Sequence, residues 1–167
     1  MQATVTDDLE LVLRWHYCGE STVRFAFASG SEFTVTGNVC LERGLNYQGN
    51  TRISFQTMCY GQDLDQFGFE LRRLTQGGAE SARFMNTGGD FEIRVTPTPH
   101  ERMGRRVLLS ELRYRHHRIV GDVSSDSELV MPVGPAEDLW RTAEAIREIL
   151  RLFQVDCRSL FELPKSP

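Results

Sequence analysis

Two hydrophobic periods divide this chain, and together they narrow what it can fold into. Up to about residue 60 the apolar side chains recur every second position, the period of a strand with one face buried. Leu9, Leu11, Leu13 and Trp15 alternate with Glu10, Val12, Arg14 and His16. After the turn-like CGES, Val23, Phe25 and Phe27 alternate with Arg24, Ala26 and Ala28. Phe33 and Val35 follow SGS in a strand that bends at Gly37 and runs on through Val39 and Leu41. Ile53 and Phe55 follow the turn-rich NYQGN. Short strands between Gly, Ser and Asn turns predict an antiparallel meander.

Past Tyr60 the period lengthens to that of a helix. Leu64, Phe67, Leu71 and Leu74 fall on one helical face. Asp63 is placed to cap it with Gln66 completing a capping box, and Gly77 and Gly78 to end it. Gly68, inside this helix, costs about 1 kcal/mol relative to Ala. ESARFMN and DFEIRV then read as strands joined at TGG, and TPTPHERMG as an exposed connection, because Pro97 and Pro99 cannot donate to a sheet. Further strands are predicted at about 105–114, 118–123 and 128–133. A closing helix over about 135–153 carries the stripe Leu139, Ala143, Ile146, Leu150 and Phe153, with Pro135, Glu137 and Asp138 suited to its first turn. Leu160 and Phe161 in the tail are candidates to dock on the sheet.

The fold class that follows is α+β: one antiparallel, twisted sheet with two main helices, at about 63–75 and 135–153, packed on one side. No internal repeat or linker is visible, which predicts a single domain over 1–167. The expected core comprises Leu11, Leu13, Phe25, Phe55, Leu64, Phe67, Leu71, Phe84, Phe91, Ile93, Leu139, Ile146 and Leu150.

Composition narrows the function classes. A net charge of −4 argues against non-specific nucleic-acid binding, which relies on a basic surface. No apolar run approaches the roughly 18 residues of a membrane span, and MQATVTDDLELVL lacks the basic-then-apolar order of a secretory leader. Cytoplasmic residence is the expectation. Cys18, Cys40, Cys59 and Cys157 form no CxxC pair and are expected to be reduced and buried.

RYRHHR, residues 113–118, is the most chemically suggestive stretch. Read as a strand, it sends His116 and His117 to opposite faces, so they do not form a chelating pair; a turn at 115–117 would leave them solvated. Arg113, Arg115 and His117 share one face and are candidates for contacting a protein partner, since two arginines can hold a carboxylate bidentately. His16 lies on the polar phase of its strand. His100 lies in the Pro-rich connection, where a general base would need a nucleophile that no local motif names. TGGD and QGGAE lack the order of a phosphate loop, and GxSxG is absent. Asp63, Asp65 and Glu70 cluster at the first helix; Asp122, Asp126 and Glu128 lie on or near a late strand. These acids suit a helix terminus or an acidic surface facing a basic partner. No catalytic, cofactor or metal residue is assigned.

The order of parts from about residue 50 to 153 resembles a family. DLDQFGFELRRL, ESARF, GGDFEIRV, GRRVLLSELRYR, HRIVGDV and EDLWRTAEAIREIL follow one another as in bacterial polymorphic-toxin immunity proteins of the WapI type and related uncharacterised domains. The resemblance implies a non-enzymatic α+β protein that binds and neutralises a cognate toxin, and it carries over no catalytic residues. The alternative from a different class is a small enzyme or ligand-binding domain with a pocket between sheet and helices, drawing on His100 or the acidic clusters.

Overall fold

Leu11, Leu13, Trp15, Val23, Phe25, Phe33, Val35 and Phe55 are all buried, as a period-2 pattern with one apolar face requires. The strands that carry them are joined by antiparallel pairing. In the computed structural model, which describes residues 1–15, 21–41, 51–96, 108–116, 125–134 and 136–156, five strands follow one another as neighbours in the first sheet. They are β1 (Gln2–Val5), β2 (Glu10–Trp15), β3 (Ser21–Ser29), β4 (Glu32–Leu41) and β5 (Thr51–Tyr60). Helix α1 (Gly61–Thr75) leads into a second meander of β6 (Ala82–Met85), β7 (Phe91–Thr96), β8 (Leu108–His116) and β9 (Ser125–Gly134), and α2 (Ala136–Leu152) follows. The α+β class, the antiparallel pairing and the two helices agree with the sequence reading. The strands, however, are shared between two sheets instead of running through one.

The topology also repeats where the sequence shows no repeat. An antiparallel meander followed by a helix is built twice, first over 2–75 and then over 82–152. Both halves bury their apolar side chains in a common cluster drawn from both sheets and both helices. Aromatic rings make the joint between the sheets. Phe25 of β3 meets Phe84 of β6 edge-on at 5.4 Å, and Phe55 of β5 lies 4.6 Å from Phe91 of β7. Phe67 of α1 approaches Phe84 at 6.0 Å. Phe153, just past α2, stacks on Phe27 at 4.1 Å. Every residue of the expected core is buried.

Two glycines permit the closest approaches. Gly37 pairs with Phe55 across β4 and β5, and the Phe55 ring covers it: a Cβ there would stand 2.0 Å from a ring carbon. Gly68 lies where α1 meets α2, and a Cβ there would stand 3.2 Å from Ile146 Cγ2. The glycine that weakens α1 as an isolated helix therefore lets it approach α2. At the edge of the same helix pair, Arg72 sits over the Trp140 ring at 4.7 Å.

Several local expectations are corrected. The sequence pattern placed Leu9 in phase with Leu11, but Leu9 belongs to a turn. Thr6 and Glu10 close that turn, and Leu9 sits exposed with φ of 57°. Strand β1, formed by QATV, was not expected: Ala3 and Val5 alternate with Gln2 and Thr4 and pack against the core, but over four residues only. Asp63 stands at the third position of α1 and not at its cap; its carboxylate accepts the Tyr60 N–H at 3.0 Å. Gln66 donates to Glu70 at 2.8 Å and completes no capping box. β8 runs through His116, paired with Ser125, so the chain does not turn at 115. His16, Cys18, Pro97, Pro99, His100, His117, Asp122, Pro135, Cys157, Leu160 and Phe161, and the strand expected at about 118–123, lie outside the described residues. No described helix is long and apolar enough to cross a membrane.

Leu71 and Ile146 are both fully enclosed. Replacing either by Ala is expected to lower unfolding free energy by about 2–5 kcal/mol in urea titration; losses below about 0.5 kcal/mol at both positions would contradict the helix packing. Gly37→Ala, ordinarily a mild change in a strand, is expected to cost roughly 1–3 kcal/mol because it drives the Phe55 ring off its seat. A neutral or stabilising Gly37→Ala in the same titration would show that the ring does not rest there.

Candidate functional site

Strand β5 departs from its own pattern near its end. Phe55, Thr57 and Cys59 share the inward phase, so a hydroxyl stands between two core side chains. Met58 and Tyr60 take the outward phase, where they are 49% and 40% exposed. A half-buried hydroxyl beside the core needs partners, and the β6–β7 turn, Asn86 to Asp90, supplies them. The Thr57 hydroxyl donates to the Asp90 carboxylate at 3.2 Å and accepts from Asn86 Nδ2 at 2.7 Å. Asn86 Nδ2 also donates to the Met58 carbonyl at 3.3 Å and to Asp90 Oδ1, sharing two hydrogens among three acceptors.

Asn86 holds the turn itself. Its backbone N–H donates to the Phe91 carbonyl at 3.1 Å, and its Oδ1 accepts the Phe91 N–H at 2.9 Å. Thr87 Oγ1 donates to Asp63 Oδ2 at 3.3 Å, the atom that also accepts the Tyr60 N–H. Asp63, singled out as part of an acidic cluster, thus ties the start of α1 to the turn of the second sheet.

Between β5 and this turn lies an open cleft of about 380 Å³. Met58 and Tyr60 form its apolar wall, with Glu32, Asp90 and Thr87 around them. Glu32 is the cross-strand partner of Tyr60 and lies on the same side of the sheet. Cys59 also lines the cleft. Burial, and then the nearby Asp63 charge, push its thiol far above the ordinary range. At neutral pH the thiol stays protonated, and only the thiolate is an effective nucleophile. The cleft therefore offers apolar contact and negative charge instead of an activated group.

A second charged region lies on the outer side of the second sheet. Glu92 is buried to 6% exposure and accepts from Arg83 Nε at 2.8 Å, while Arg94 Nη2 lies 3.0 Å away. Burial alone would raise the Glu92 pKa. The hydrogen bonds and charges of Arg83 and Arg94 outweigh it and hold the carboxyl below its ordinary value. Glu70 Oε2 accepts the Arg83 backbone N–H at 2.7 Å.

The register places the sequence-singled arginines in the same sheet. Arg113 stands opposite Glu92 on β7 and Glu128 on β9, and Arg115 stands opposite Asp126. In backbone register Arg113 pairs with Glu92, which in turn pairs with Met85. Tyr114 is opposite Phe91, the first residue of β7. Arg115 and His116 thus extend past β7 at the end of the sheet that carries the 86–90 turn. Among the residues singled out earlier, Asp65 is buried on α1, and Glu70 faces β6 instead of joining Asp63. Among the described residues no group of three His, Cys, Asp or Glu is placed to hold a metal ion. Sequence reasoning missed the cleft, although the inversion of phase at Thr57 and Met58 was there to find it.

No family model matches the chain, and no curated protein matches it. Among solved structures, a chain from a guide-RNA-binding protein complex bound to a gRNA is similar at 12% identity, with a TM-score of 0.48, over 88% of this chain and 94% of that one.

The Glu92 contacts set an acid dependence. The folded-state pKa lies below the ordinary value of 4.5, so the contribution to stability is complete above that value and is lost as pH falls through the lower, folded-state one. The stability advantage of the wild type over Glu92→Gln in urea titrations is expected to stay level from about pH 7 to 5 and to shrink below about pH 4.5. An advantage that grows on acidification would mean that the carboxyl is held neutral.

Proposed function

We propose that this chain is a non-enzymatic protein-binding module of the immunity kind, one that binds and neutralises a cognate bacterial toxin. The observation that carries the reading is the end of β5. Exposed Met58 and Tyr60 stand there beside carboxylates, while the polar groups behind them are engaged with one another. A rigid surface with apolar anchors and a charged rim suits recognition of a protein. The resemblance of the order of parts over about residues 50–153 to WapI-type immunity proteins, read from the sequence, supports the same reading. Arg113, Arg115 and His117 are proposed as partner contacts, because a pair of arginines can hold a partner's carboxylate bidentately.

The test is neutralisation. The gene immediately upstream is identified first: a large multidomain protein is expected there, and its C-terminal domain is expressed in a bacterial host with and without this chain. Growth arrest by that domain, relieved by this chain through a stoichiometric complex, is the expected result. Arg113→Ala with Arg115→Ala should weaken the complex, with the melting temperature of the free chain measured alongside to separate lost contacts from lost stability. Relief by substoichiometric amounts of the chain would overturn the reading in favour of an enzyme, and failure to relieve the arrest would remove it.

A further inference from the structure

We infer that the cleft between β5 and the 86–90 turn is a receptor for a basic side chain, an arginine or lysine, presented by a protein partner. The inference deepens the protein-binding reading and rests on it for the partner, though not for the site. Three features of the cleft select this occupant. Its wall is the exposed Met58 and Tyr60, an apolar surface that takes the aliphatic stem of a long side chain. The Tyr60 ring offers a face that attracts a cation. Its charge has one sign: Glu32 and Asp90 line it, Asp63 stands behind Thr87, and no arginine or lysine lines it among the described residues.

The carboxylates differ in availability. Asp90 is held by Thr57 and Asn86, so it contributes fixed negative charge at the floor. Glu32 starts β4 on the outward side beside Tyr60 and is the group placed to take a charge-assisted hydrogen bond from an incoming guanidinium or ammonium. The cleft is at the small end of ligand pockets, in keeping with one side chain and not a whole cofactor. A phosphate-bearing partner is disfavoured by the same charges, because like charges brought together cost free energy.

The test uses the whole chain and small probes, so it does not depend on knowing the partner. Acetyl-arginine methylamide is titrated into isotopically labelled protein and followed by amide NMR, with the acetyl-leucine and acetyl-glutamate methylamides and hexathymidylate as comparisons. The arginine probe is expected to give saturable shifts centred on Glu32, Tyr60, Gly88 and Asp90, weakening as salt is raised. Glu32→Gln and Tyr60→Leu should each weaken binding by roughly two- to fivefold, the effect of one exposed ion pair or cation–ring contact. Equal shifts with the leucine probe, preference for the glutamate probe or hexathymidylate, or no saturable shift at the cleft would each overturn the inference. Should Tyr60→Leu disturb α1, Glu32→Gln decides alone, its amide spectrum reporting the intact fold. Neutralisation of a toxin that survives Glu32→Gln and Tyr60→Leu unchanged would sink this site while leaving the immunity reading standing. Arginine binding without any neutralisation would do the reverse.

Discussion

The contact on which the rest of this structure depends is the aromatic joint between its two sheets. Phe25 with Phe84 and Phe55 with Phe91 join the two sheets, and the bare backbone of Gly37 gives the Phe55 ring its seat. Neither meander buries its apolar face without the other, since a sheet with one apolar face needs a second layer to cover it. The helices close what the sheets leave open, and they come close together because Gly68 presents no side chain to Ile146. A residue that lowers local helix propensity and one that weakens a strand are thus both explained by what lies against them.

The candidate site grows out of the same joint. Beyond Phe55 the aromatic packing ends, and at Thr57 the inward row of β5 becomes polar. The turn at 86–90 reaches across to satisfy that hydroxyl, and in doing so it fixes the position of Asp90 beside Met58 and Tyr60. Recognition surfaces benefit from being held in place before a partner arrives. For the proposed recognition site, the hydrogen bonds among Thr57, Asn86 and Asp90 supply that restraint.

Much of this was legible in the sequence, for a local reason. Burial follows hydrophobic period, and period is read within a few residues, so Leu11, Phe25, Leu71 and Ile146 could be assigned to the core from their neighbours alone. Which strand pairs with which is not local, and the division into two sheets was invisible. Strand β1 escaped because its alternation, Ala3 and Val5 against Gln2 and Thr4, spans four residues, too few for a period to stand out, and the strand is fixed by its register with β2. Leu9 misled because an apolar residue in phase looks the same whether its backbone is extended or turned. The cleft depends on Asn86 meeting Thr57 across 29 positions of chain, and only the polar residue in an inward row hinted at it. Arg113 and Arg115 lie on β8, where the sequence reading expected a strand, and their register with β7 and β9 is set by pairing that no local pattern reveals.

The side chains that lock the two halves together have another effect. Asn86 holds the carbonyl of Met58 on β5, an outermost strand of the first sheet, and Glu70 holds the N–H of Arg83 on β6, an outermost strand of the second. Unpaired backbone groups on outermost strands are templates on which other chains add strands and polymerise. By occupying one such group on each sheet with a side chain of its own, the molecule withdraws those positions from strand exchange with its copies.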